Sequence, residues 1–174
     1  AANANVSSIV ITDVDRDGWM DVIAGTDNPA NEIIGWENTS AWSWIQHTVA
    51  NTDDRANSLA AGDMDRDGWI DIVAGTDDDE DFELIAFEGD GAWGWTQKDV
   101  GAFSTDIKSV GLGDLDGDGD DDIVTGGSWG PVNQVVAWQN DGAPWDGGAW
   151  TSNAIGAAGS MVLDLEVVDL DANG

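Results

Sequence analysis

The chain has 174 residues, 41% of them hydrophobic, and a formal net charge of −30 from 35 acidic and five basic side chains. That length can bury a sizeable core as one domain, and that hydrophobic fraction excludes a disordered polyanion. The charge argues against nucleic acid and anionic membrane as partners, since both need basic patches.

There is no cysteine, so no disulfide supports the fold. No apolar run reaches the roughly 18 residues of a membrane span. The opening Ala-Ala-Asn-Ala-Asn has neither the charged nor the apolar region of a signal peptide, as expected of a mature secreted chain or of a piece of a longer one.

Residues 1 to 5 read as a lead-in. The first predicted strand, Val6 to Thr12, runs into the acidic loop Asp13-Val-Asp15-Arg-Asp17-Gly18-Trp19-Met-Asp21. Strands are then expected at Asp21 to Gly25, Glu32 to Glu37 and Trp44 to Val49. The order recurs with Leu59 to Gly62, the loop Asp63 to Asp71, and strands at Asp71 to Gly75, Glu83 to Phe87 and Trp95 to Val100. A third round follows with Ser109 to Gly113, the loop Asp114 to Asp122, and strands at Asp122 to Thr125, Gln134 to Trp138 and Trp150 to Ile155. A fourth loop opens at Asp169-Leu-Asp171-Ala-Asn173-Gly174.

From loop to loop the spacing is 50, 51 and 55 residues (Asp13 to Asp63, Asp63 to Asp114, Asp114 to Asp169). Four short strands separated by Gly, Asn and Asp turns, repeated at that period, predict an all-β propeller built of four-stranded antiparallel blades. The blades fall at about 6–55, 56–107 and 108–159, with a partial blade at 160–174 that supplies the first strand of a fourth. The whole chain, 1–174, is then a single propeller segment, open or completed by further chain. The small residues Ala60-Ala61-Gly62 and Gly111-Leu112-Gly113 place the first strand of each blade innermost, where neighbours crowd.

Carboxylates at loop positions 1, 3, 5 and 9, with glycine at position 6, form an oxygen cage for a hard cation, and calcium is the expected ion. The side-chain ligands would be Asp13, Asp15, Asp17 and Asp21; Asp63, Asp65, Asp67 and Asp71; and Asp114, Asp116, Asp118 and Asp122. Position 7 would give its backbone carbonyl, from Trp19, Trp69 or Asp120. Asp169, Asp171 and Asn173 make a partial fourth site. About three structural ions are expected, and they would relieve repulsion among the carboxylates. A solvated acidic turn is the alternative for any single copy, and recurrence in one register argues for the ion. An EF-hand is excluded, because position 12 is Ala24, Ala74 or Thr125 instead of glutamate, and β-branched strands follow where helices would stand.

Trp36, Phe87 and Trp138 recur in the third strands, and Trp42-x-Trp44 matches Trp93-x-Trp95. Such recurrence favours packing between sheets over a sugar-stacking surface. Trp145, in an inserted segment, is the best candidate for an exposed tryptophan. His47 corresponds to Lys98 and Asn153 and reads as a solvated strand residue, not a catalyst. The run Asp77 to Asp81 reads as a solvated turn.

A strand entering Asp-x-Asp-x-Asp-Gly-x-x-Asp, a β-branched strand ending in Ala-Gly or Thr-Gly, and then Ile-x-x-Trp-x-Asn together resemble the FG-GAP or VCBS-type repeats of integrin-α-like propellers. The resemblance implies blades around an axis, calcium in the loop between each blade's first two strands, and an extracellular or cell-surface setting. It implies a non-catalytic scaffold for adhesion or ligand binding. Two alternatives stand beside it: a structural subunit that self-assembles through open blade edges into a filament or surface layer, and a propeller module of a polysaccharide-active enzyme. No acid/base or nucleophile constellation stands apart from the repeat. The expected partners are the remainder of a longer propeller chain or further copies of the same chain, with a protein or glycan ligand beyond them.

Overall fold

A computed structural model describes residues 5–27, 33–51, 55–77, 83–101, 106–127, 134–147 and 150–170. Its strands are β1 (Val6–Thr12), β2 (Asp21–Thr26), β3 (Ile33–Ser40), β4 (Ser43–Ala50), β5 (Ala56–Gly62), β6 (Asp71–Thr76), β7 (Leu84–Gly89), β8 (Trp95–Gly101), β9 (Ile107–Gly113), β10 (Asp122–Gly127), β11 (Gln134–Gln139) and β12 (Thr151–Ala157). They form three four-stranded antiparallel sheets in sequential order, β1 to β4, β5 to β8 and β9 to β12. Among the described residues no helix is long and apolar enough to cross a membrane.

The strands follow from β-branched, period-two segments punctuated by glycine and acidic turns. The central strands β6 and β10 are buried along their whole length, β6 between the two flanking blades and β10 between blade two and the segment that carries Val162 and Leu165. The apolar core is accordingly divided between two seams. In the first, Val14, Ile23, Ile33 and Val49 of blade one meet Leu59, Ile72, Ala74, Ile85 and Phe87 of blade two. In the second, Met64, Val73, Leu84, Ala86 and Val100 of blade two meet Ile107, Val110, Ile123, Val136 and Trp138 of blade three. Alternation along β6 and β7 sends successive side chains to opposite seams, the two-residue period of a strand. Each fully buried Ile, Leu, Val or Phe contributes about 1.5–3 kcal/mol.

The first strands are neighbours, β5 lying against β1 and β9 against β5, as expected of an innermost ring. In the pairing of the first two strands the register shifts at the same place in every blade, between Val6 and Ser8, Ala56 and Ser58, and Gly126 and Gly127 on the strand facing Ile107 and Ser109. Next to this irregularity Ser7 Oγ donates to the Ala56 carbonyl and Asn57 Nδ2 to the Ile107 carbonyl, each across a seam. Ser8 Oγ accepts from Leu59 N at 3.0 Å, and Ser58 Oγ repeats this with Val110 N at 3.1 Å. The recurring serine is therefore an interblade clamp.

The start of a fourth blade is held against blade three by packing. Val162, Leu165 and Val167 stand over Gly111, Gly113 and Gly126, close enough that a Cβ on any of these glycines would crowd them. Val162 occupies the repeat position of Ala56 and Ile107. Residues 161–169 are not assigned as a strand, and Val162 N donates to the Gly127 carbonyl of β10 at 3.4 Å, so the expected first strand has its place and its packing without a strand ladder of its own.

Two expectations are corrected. Trp145 is not the exposed tryptophan: it is half-buried against the second seam and contacts Trp150 with ring centroids 6.1 Å apart. Among the described residues the most exposed tryptophan is Trp42, at 86%, whose counterpart Trp93 packs into the first seam. His47 is not simply solvated: its ring stacks on Trp93 and its Nε2 meets Glu37 Oε2 at 2.6 Å. In both cases the adjacent blade contributes, with Trp93 over His47 and Lys98 against the Trp145 ring. The Asp77 to Asp81 run falls outside the described residues except for Asp77, which faces Lys108 at 4.0 Å.

Candidate metal centres

Each acidic loop closes the hairpin between its blade's first two strands at the same rung, Thr12 opposite Asp21, Gly62 opposite Asp71 and Gly113 opposite Asp122. Two residues per loop take the left-handed backbone. Position 6 does so at Gly18, Gly68 and Gly119 (φ 93°, 99° and 92°), and position 4 does so at Arg16, Arg66 and Gly117 (φ 58°, 59° and 79°). Glycine is free to adopt such angles and arginine is not; the need at position 4 was not visible in the sequence.

Short-range bonds then fix the carboxylates. Gly18 N donates to Asp13 Oδ2 at 3.0 Å, Asp17 N to Asp15 Oδ1 at 3.2 Å and Trp19 N to Asp17 Oδ1 at 2.8 Å. The second loop repeats all three with Gly68 on Asp63, Asp67 on Asp65 and Trp69 on Asp67. The third does so with Gly119 on Asp114, Asp118 on Asp116 and Asp120 on Asp118. These turns leave each Asp with a second oxygen or further lone pairs, and they hold the loop shut around them.

The loops thereby gather carboxylates. One oxygen each from Asp13, Asp15 and Asp17 lies within 4.8 Å of the others, and so do those of Asp63, Asp65 and Asp67. In the third loop the trio is Asp114, Asp116 and Asp122. Asp118 stands outside that trio, and Asp116 Oδ2 accepts from Gln139 Nε2 at 2.6 Å. Of the partial fourth site only Asp169 lies among the described residues; Asp171 and Asn173 lie outside them.

Position 9 has a second task that the sequence did not reveal. Asp21, Asp71 and Asp122 are all buried. In each, Oδ2 accepts from the backbone at position 2 (Val14, Met64 and Leu115, all 2.9 Å). Oδ1 accepts from the end of the third strand: Asn38 N at 2.8 Å, Gly89 N at 3.1 Å and Asn140 N at 2.8 Å. One carboxylate thus ties the loop to β3, β7 or β11. Asn140, also buried, reaches across the second seam through Nδ2 to the Met64 carbonyl at 2.8 Å.

Burial has an electrostatic consequence. Desolvation raises the Asp71 carboxyl to about 7, against the two backbone hydrogen bonds that favour its charge. Asp21 and Asp122 are raised for the same reason, and neighbouring loop aspartates add to the rise. Burial likewise raises Asp65 and Asp121.

The residues fit a hard cation. Their ligand atoms are all oxygens, as calcium prefers. Asp13 Oδ1 is buried without a hydrogen-bond partner, an arrangement that costs free energy unless a positive group meets it. A bound calcium ion would supply two positive charges that neutralise this field.

A family model described as FG-GAP-like repeat matches residues 13–74 and, in a second copy, residues 65–125. Both matches run from one acidic loop into the strand after the next. No curated protein matches this chain.

Proposed function

Because the chain belongs to the FG-GAP-like repeat family, with matches that together span residues 13 to 125, we propose that it is a calcium-stabilised, non-catalytic propeller module of an extracellular or cell-surface protein, acting as a scaffold for adhesion or ligand binding. The observation that carries the calcium reading is the threefold recurrence of aspartate oxygens within 4.8 Å of one another, together with the orphaned Asp13 Oδ1. In this reading Asp13, Asp15 and Asp17, Asp63, Asp65 and Asp67, and Asp114, Asp116 and Asp122 hold the ions. Asp21 and Asp71 shape their loops from behind. Extracellular calcium, roughly millimolar, suits loop sites of modest affinity. Because only the folded loops gather the ligands, calcium binding adds to stability by mass action. The test is thermal unfolding with calcium and with chelator: a higher midpoint in calcium, with one ion bound per loop by calorimetry, supports the reading, and an unchanged midpoint refutes it.

Self-association is the second reading, and one observation favours it. Ile9 is 58% exposed on β1, whereas its repeat counterparts Leu59 and Val110 are 6% exposed, each buried against the preceding blade. Val6, Ile11 and Trp42 are exposed on the same blade. A further blade, from more of the same polypeptide or from another copy, is the proposed cover for this surface. Particle mass that grows with protein concentration would support association between copies, and a constant monomer mass would refute it.

A further inference from the structure

Arg16 and Arg66, at position 4 of the first two loops, each reach into the loop of the next blade. Arg16 Nη2 lies 3.5 Å from Asp63 Oδ2, and its guanidinium stands 5.6 Å from the Trp69 ring centroid. Arg66 Nε lies 2.7 Å from Asp120 Oδ1, and its Nη2 borders Gly119. Both side chains border positions 6 and 7 of the next loop, Gly68 and Trp69 for Arg16, Gly119 and Asp120 for Arg66, while the paired carboxylate is at position 1 for Arg16 and at position 7 for Arg66. Two of the chain's five basic side chains are used in this way.

The backbone makes the choice of residue informative. Position 4 is left-handed in all three loops, and the third meets that demand with Gly117. Glycine would serve the first two equally well, so arginine stands there, in a conformation unfavourable to it, for what its side chain does. What the side chain meets is carboxylate. Asp63 belongs to the second loop's trio, and Arg66 also lowers Asp121, which burial and Asp114 raise.

We propose that Arg16 and Arg66 are resident counter-cations, holding consecutive acidic loops together when divalent ion is scarce and competing with it for the same negative field. The competition rests on the calcium reading above; the countercharge role does not. A fixed positive charge beside a carboxylate cluster stabilises the metal-free loops and opposes the entry of a second cation. The arginines therefore make the fold less dependent on calcium and lower the affinity of the loops for it.

The experiment compares the wild-type chain with R16Q, R66Q and R55Q. Glutamine keeps the left-handed cost at positions 16 and 66. R55Q removes the same charge from a pair outside the loops, Arg55 Nη2 to Asp27 Oδ2 at 3.8 Å. In chelator the unfolding midpoints of R16Q and R66Q should fall by about 2–4 °C, more than that of R55Q. In saturating calcium the fall should largely vanish, and calcium affinity by calorimetry should rise by about 2–10-fold. No fall in chelator would overturn the countercharge role, and, where the wild-type midpoint responds to calcium, equal falls with and without calcium or a weakened affinity would overturn the competition. A wild-type midpoint that ignores calcium sinks the calcium reading and the competition with it. A larger chelator fall in R16Q and R66Q than in R55Q would, in that same experiment, still support the countercharge role.

Discussion

His47 lies flat on Trp93, ring centroids 4.4 Å apart and planes 10° from parallel, although the two residues belong to different blades. The same tryptophan stands over Gly35, where a Cβ would overlap its ring. Trp93 is therefore a wedge of the first seam, and Trp145 repeats the relation over Lys98, 5.9 Å from the ring centroid.

Truncating the wedge should be costly. W93A is expected to lose about 3 kcal/mol in denaturant unfolding, near the low end for buried aromatics because the ring is only half-buried. W42A, at the equivalent but exposed position, should change stability by less than about 0.5 kcal/mol.

Asp71 separates the two tasks of position 9. D71A removes the acceptor for Met64 N and Gly89 N together and leaves two buried donors unmet, at about 1–3 kcal/mol each. The midpoint should therefore fall in chelator as well as in calcium. A loss confined to calcium would show that ligation is its sole task.

Asp17 makes the contrasting case. D17N keeps an acceptor oxygen for Trp19 N while removing one charge from the first trio. In chelator its midpoint should equal or exceed that of the wild type, because repulsion falls. The calcium-induced rise should shrink, and calorimetry should detect one ion fewer.

The buried carboxyls set a pH dependence whose sign is opposite to that of a salt-bridged acid. Asp71 has a folded pKa of about 7 against an ordinary 3.8. Its favourable contribution is complete below the ordinary value and is lost as pH rises through about 7. Asp21, Asp65, Asp121 and Asp122 shift in the same direction. Asp27, lowered mainly by hydrogen bonds from Asn5, acts oppositely, but below the ordinary value. Metal-stripped protein should therefore unfold at a higher temperature at pH 5.5 than at pH 8, and calcium should reduce that difference by favouring the ionised loops.

Most of the architecture was legible because each strand carries its own signal and the repeat supplies it three times. Strand existence, blade order and the gathering of Asp13, Asp15 and Asp17 all follow from local pattern. What escaped reading depends on the neighbouring blade. With Asn153 beside them, His47 and Lys98 look like an indifferent polar position until a tryptophan from the next repeat is laid over these two. Trp145 looked exposed because the insertion hides its equivalence to Trp93. Position 9 showed a carboxylate but not the two amide hydrogens waiting for it, one of which arrives 18 residues later in the chain.

With its apolar groups divided between two seams, the molecule has no single centre to lose. The middle blade is gripped by a complete blade on both sides, and each of its partners by a complete blade on one side only. Unfolding should accordingly travel inward from the flanks, so that amide protons of β6 exchange with solvent last and those of β1 and β12 first.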